Sequence, residues 1–141
     1  MFKLGWYIYY PYIRGMIITK ENIGEFLSDN GKTLNISYKD ITAIEYLPQS
    51  LVGLLCYNTS ITELPPLPQS LEWLLCYNTS ITELPPLPQS LEGLDCYNTS
   101  ITKLPPLPQS LEGLLCYNTN LPKWQQVNLH NKEYVDKFRN K

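Results

Sequence analysis

LVGLLCYNTSITELPPLPQS occupies residues 51–70, LEWLLCYNTSITELPPLPQS residues 71–90 and LEGLDCYNTSITKLPPLPQS residues 91–110. A further copy opens at Leu111 as LEGLLCYNTN and drifts after Leu121, so the period is 20 residues. Self-similarity at a fixed short period marks a repeat architecture, in which each unit buries its apolar face only against its neighbours. A degenerate turn lies upstream over residues 31–50, where Leu34, Ile36, Ile41, Ile44 and Leu47 fall on the positions of Leu54, Cys56, Ile61, Leu64 and Leu67. After the last clear copy, Leu121, Trp124 and Val127 continue the apolar positions.

Within one copy the recurring apolar residues are Leu51, Leu54, Cys56, Ile61, Leu64 and Leu67, at steps of 3, 2, 5, 3 and 3. Those steps match neither a helix nor a long strand. They match a coil in which one short strand is followed by a returning limb. Leu54 and Cys56 are two apart and point to one side of the strand, while Gly53, Leu55 and Tyr57 point to the other. Pro65-Pro66-Leu67-Pro68 excludes a helix on the return limb and favours extended, polyproline-like backbone.

The pattern resembles the leucine-rich repeat, L-x-x-L-x-L-x-x-N/C-x-L, with Leu51, Leu54, Cys56, Thr59 and Ile61 on its first, fourth, sixth, ninth and eleventh positions. The L-P-x-L-P spacer and the unit length look like the shortest class, known from secreted bacterial effectors and from proteins of large DNA viruses. The resemblance implies an α/β leucine-rich-repeat solenoid of about five turns. It would have a parallel β-sheet on the concave side, an extended convex limb and short capping helices. One departure stands out. The ninth position holds Thr59, Thr79, Thr99 and Thr119, while Asn58 and its equivalents stand one place earlier. A hydroxyl can both donate and accept in that bend, with shorter reach than an amide.

Three segments follow from this reading: 1–30 as an aromatic segment and capping helix, 31–127 as the repeats, and 128–141 as a second capping helix. Thr19–Gly31 reads as a short amphipathic helix with Thr19 as N-cap, Ile23, Phe26 and Leu27 on one face, and Asn30-Gly31 as its stop. Asn131–Lys141 places Tyr134, Val135 and Phe138 on one helical face, with late Lys137, Arg139 and Lys141 suiting the negative end of the dipole. Trp6 to Ile13 favours a strand or hairpin. Pro11 and Arg14 interrupt that run too early for a membrane span, and no small-residue cleavage site follows it.

Composition narrows the chemistry. The chain has 141 residues, 12 prolines, one histidine (His130) and a net charge of -2. The length holds one domain, without space for a catalytic domain beside a binding domain. The near-neutral balance argues against nucleic acid as a partner. Between residues 47 and 118 six acids face Lys103 alone. No arrangement of residues indicates an enzyme, and neither a cofactor nor a metal is expected. Cys56, Cys76, Cys96 and Cys116 share one inward repeat position and read as buried free thiols flanked by leucine. Such usage fits a reducing, intracellular setting. The N-x-S/T triplets at Asn35, Asn58, Asn78 and Asn98 are discounted as glycosylation acceptors on the same ground.

The outward strand face carries Tyr57, Tyr77, Tyr97 and Tyr117 at one repeat position and Leu55, Leu75, Asp95 and Leu115 at another. Trp73 replaces the glycine of its equivalents Gly53, Gly93 and Gly113. The degenerate turn offers only Thr33, Asn35 and Ser37 there, so the strip begins at the following turn. Tyrosines at strand spacing stack on one another. An apolar, aromatic strip on a protein surface also marks an interaction face. The strip therefore reads as a surface for a partner protein, with Trp73 and Asp95, which break the repeat, as candidates for specificity. The alternative is self-association through the strip or a bare sheet edge.

Overall fold

The computed structural model describes residues 15–140 and shows a leucine-rich-repeat solenoid. Its main sheet has six strands: β2 (Thr33–Asn35), β4 (Gly53–Leu55), β5 (Trp73–Leu75), β6 (Gly93–Asp95), β7 (Gly113–Leu115) and β8 (Asn128–Leu129). The strands β2, β4, β5, β6 and β7 are parallel and pair in strict repeat register, so that Leu34, Leu54, Leu74, Leu94 and Leu114 form one file. The last strand, β8, runs antiparallel on β7. A second, two-stranded parallel sheet joins β1 (Met16–Ile18) to β3 (Ile41–Ile44).

The inward positions fill the core as the repeat pattern requires. Leu51, Leu54, Cys56 and Ile61 are fully buried, and so are their equivalents one and two turns on. Each such Leu or Ile contributes roughly 1.5–3 kcal/mol before chain entropy is subtracted. The degenerate turn belongs to the same core, because Leu34, Ile36, Ile41, Ile44 and Leu47 are all buried. On the return limb prolines remove donors, and what remains closes one tight bend per turn. Leu71 N donates to Pro68 O at 3.1 Å, and Leu51, Leu91 and Leu111 repeat the bond.

Side chains hold the solenoid at three further places, one within each turn and two between turns. Thr59 Oγ1 donates to Cys56 O at 2.7 Å, Thr79 and Thr99 do the same at 2.7 Å, and Thr119 does so at 3.0 Å. The hydroxyl therefore reaches the backbone of the bend in spite of its shorter side chain. Asn58, Asn78, Asn98 and Asn118 have φ between 50° and 55°, a left-handed conformation that asparagine tolerates better than most residues. Their amides form a ladder: Asn78 Nδ2 donates to Asn58 Oδ1 at 2.9 Å, Asn98 to Asn78 at 2.7 Å, and Asn118 to Asn98. Ser70 Oγ lies 2.6 Å from Leu51 O, and Ser90 and Ser110 hold the same relation to the preceding turn.

The ends depart from expectation in two ways. Residues 19–31 do not form an α-helix; they make one 3-10 turn at Ile23–Glu25. Asn22 and Asn30 spend their side chains on local backbone, with Asn22 Oδ1 accepting from Thr19 N and Asn30 Oδ1 from Lys32 N. Such bonds compete with helix formation. The segment then runs antiparallel along β2, where Ser28 N donates to Thr33 O and Asn35 N to Phe26 O. It still seals the core through buried Ile23. At the other end a helix does form, α1 (Lys132–Arg139), capped by the Asn131 side chain accepting from Glu133 N and Tyr134 N.

Only Val135 of the expected apolar face is buried in that helix; Phe138 is partly buried and Tyr134 faces outward. Trp124 also fails to continue the core position and is 60% exposed. The short turn Lys123–Gln125 swings it onto a shallow cleft lined by Leu104, Leu107 and Phe138. The reading of Trp6 to Ile13 lies outside the described residues.

Candidate functional site

Alternation along a three-residue strand sends Leu54 inward and leaves Gly53 and Leu55 on the other face. Five parallel strands in register then assemble the outward residues into rows. Leu55, Leu75, Asp95 and Leu115 form one row, directly opposite one another across successive strand pairs. All four are half-buried. Gly53, Trp73, Gly93 and Gly113 form the next row.

The tyrosines form a continuous stack. Ring centroids of Tyr57 and Tyr77 are 4.4 Å apart at 8° between planes, those of Tyr77 and Tyr97 4.4 Å at 9°, and those of Tyr97 and Tyr117 4.7 Å at 7°. The ring faces are thereby spent on one another, which leaves edges and hydroxyls to the outside. Desolvation inside this stack pushes the Tyr77 phenol up, helped by the negative charges that Tyr97 and Tyr57 would carry. Desolvation also raises Tyr97.

The flat stack begins at Tyr57, in the second turn, and the degenerate turn adds an edge-on ring before it. Tyr38, one residue past the expected position, has φ of 59° and sets its ring edge-on to Tyr57 at 5.5 Å and 86°. The shift by one residue puts Tyr38 where the other turns have asparagine, so the degenerate turn exchanges a rung of the amide ladder for an aromatic cap. The repeat register pairs Tyr38 with Asn58, so its contact with Tyr57 is not legible from the period alone.

Trp73 is 45% exposed and lies across the neighbouring strand. A β-carbon at residue 93 would stand 2.3 Å from its Cε3. Gly93 is therefore the seat of the indole, a role no single copy of the repeat reveals. The visible signal was that a tryptophan at this position is followed one turn later by glycine. Asp95 completes the centre of the face. Burial among Leu75, Leu115 and the ring systems pushes its carboxyl up, while the charge of His130 partly offsets that rise.

The four cysteines are free and buried beneath this face. Burial pushes the Cys56 thiol up to about 12 and raises Cys76, Cys96 and Cys116 as well. These groups are apolar filling; Cys116 Sγ also donates to Gln125 O at 2.9 Å.

All nine residues singled out in the sequence thus share one face, and the structure adds Tyr38 and Gly93 to it. No family model matches the chain, and no curated protein matches it in sequence. Solved structures do resemble it. The leucine-rich-repeat domain of a Shigella effector is 27% identical with a TM-score of 0.57, over 70% of this chain and 55% of that one. YopM from Yersinia enterocolitica WA-314 is 30% identical with a TM-score of 0.56, over 67% of this chain and 26% of that one. The chain spans about half the length of the first and about a quarter of the second. What these likenesses establish is an effector-like leucine-rich-repeat solenoid.

Proposed function

We propose that this chain is a non-enzymatic protein-interaction module of the short-repeat effector type, and that a partner protein docks on the concave strip. The contact residues in this reading are Tyr57, Tyr77, Tyr97, Tyr117, Leu55, Leu75, Leu115, Trp73 and Asp95. The observation that carries it is the contrast between stack and strip. Self-stacking accounts for the tyrosines, but it gives no reason for a half-exposed Trp73 or for a carboxylate at the centre of an apolar row. Aromatic residues in such positions are favoured anchors at interfaces. Solved structures that resemble the chain are bacterial effectors, and their repeat fold is one used for protein recognition.

Self-association finds less support. Residues 26–28 bond along the outer side of β2 and β8 pairs with the outer side of β7, so neither margin of the five parallel strands is left bare for strands of another copy to add. Free, buried thiols fit action inside a cell, in the cytoplasm of a host if the effector likeness extends to function.

The test is affinity capture from a lysate of the source cell with the wild-type chain beside the Tyr77→Ser/Tyr97→Ser double variant. A protein held by the first and released by the second, with unchanged circular dichroism, supports the reading. Equal retention by both chains overturns the strip as the site.

A further inference from the structure

The face described above carries one charge that the rest of the repeat has no use for. Where three turns place Leu55, Leu75 and Leu115, the third copy places Asp95. Ion pairs among the described residues all lie within α1, joining Lys132 to Asp136, Lys137 to Glu133 and Arg139 to Asp136. Among the described residues the Asp95 carboxylate has no ion-pair partner, and only the more distant charge of His130 acts on it favourably. A carboxylate set among leucines without a partner disfavours the free protein. A partner that supplies a cation converts that cost into discrimination, because a desolvated charge rejects ligands that lack the opposite one.

Two neighbouring features have the same sign preference. The indole seated on Gly93 stands two residues from Asp95 along the strand, about 7 Å away, and its half-exposed ring system is a surface on which a guanidinium can stack. Glu72, Glu92 and Glu112 immediately precede β5, β6 and β7, and their backbones are bonded rung to rung, Glu92 N to Glu72 O at 2.8 Å and Glu112 N to Glu92 O at 2.7 Å. Glutamate therefore recurs once per strand just before β5, β6 and β7, at the end of the sheet where Trp73 stands. From residue 47 to 118 these charges meet a single cation, Lys103.

We infer that the partner docks on this face through a basic segment, with an arginine or lysine side chain lying between Trp73 and Asp95 and apolar residues on either side of it meeting Leu75 and Leu115. This inference rests on the proposal that the strip is the binding site and specifies the chemistry of what it binds. A planar guanidinium suits the position better than an ammonium, since it can stack on the indole and still pair with the carboxylate.

The test selects binders to the full chain from a random peptide library displayed on phage. Each is then measured against Asp95→Asn, Asp95→Leu and Tyr77→Ser/Tyr97→Ser. Selected peptides should be enriched in Arg or Lys flanked by apolar residues, should weaken with rising salt, and should lose about tenfold in affinity for Asp95→Asn. Binders without basic enrichment, or basic binders that hold Asp95→Leu equally well, overturn the inference; if they still depend on Tyr77 and Tyr97, the strip remains the binding site. A selection yielding no binder that depends on Tyr77 and Tyr97 removes that reading and this inference together.

Discussion

The indole of Trp73 rests on Gly93: a β-carbon at residue 93 would stand 2.3 Å from Cε3 and 2.4 Å from Cζ3. The tryptophan and the glycine are one repeat apart in the chain and face each other across β5 and β6. Their identities are coupled, since the ring can lie flat only over a residue without a side chain.

Gly93→Ala should therefore displace the ring without unfolding the strand. The expected cost is about 1 kcal/mol, because the half-exposed indole can swing toward solvent. In a Trp73→Gly background the same substitution should be close to neutral. A double-variant cycle by urea denaturation measures the coupling, and the Trp73 indole N–H resonance reports the displacement.

Asp95→Leu should stabilise the chain at neutral pH by an amount on the order of 1 kcal/mol, since it restores the apolar row and removes a desolvated charge. The sign of the pH dependence follows from the raised carboxyl of the native state, caused first by burial. A raised carboxyl favours the protonated form in the folded chain, so wild type loses stability as pH rises from the ordinary carboxylate range through the native pKa. The advantage of the variant should then be largest at neutral pH and shrink on acidification below that range. Thermal melts of both proteins over an acid-to-neutral series check this.

The amide ladder separates two effects at Asn78, whose φ is 52° and whose side chain bonds both neighbours. Asn78→Gly keeps the left-handed backbone and loses only the ladder bonds, while Asn78→Ala loses the bonds and strains the backbone. The alanine variant should be the less stable of the two by about 1 kcal/mol. Equal midpoints in denaturant would show that the backbone conformation contributes nothing there.

Thiol reactivity should follow folding. With Cys56 pushed up to about 12 and the other three raised by burial, the native chain holds almost no thiolate near neutral pH. Ellman's reagent should find little or no reactive thiol in the native protein and all four cysteines in denaturant.

Much of this was legible in the residues because the repeat states its own register. Once Leu54 and Cys56 face inward, Gly53, Leu55 and Tyr57 must face outward, and a fixed period carries that assignment through every turn. The ends were harder for the opposite reason. Around Ile23 the apolar spacing fits a helix, but local side-chain bonds from Asn22 and Asn30 favour turns, and the outcome is one 3-10 turn. Trp124 sits at a core position by count, but the chain there is turning into β8 and α1, so the repeat geometry that would bury it has already ended.

The solenoid, its inward leucines and cysteines, the extended return limb and the face on which the tyrosines, Trp73 and Asp95 gather are all written in the residues. Each follows from side-chain alternation and period, which are local. How residues one turn apart meet was settled in the folded chain. The fold set the flat tyrosine stack with Tyr38 edge-on at its end, the indole over Gly93, and the isolation of Asp95 between two leucines. Those relations depend on strand register and on how rings and amides pack between neighbouring turns. They are contacts between distant positions, which periodicity brings near and packing alone resolves.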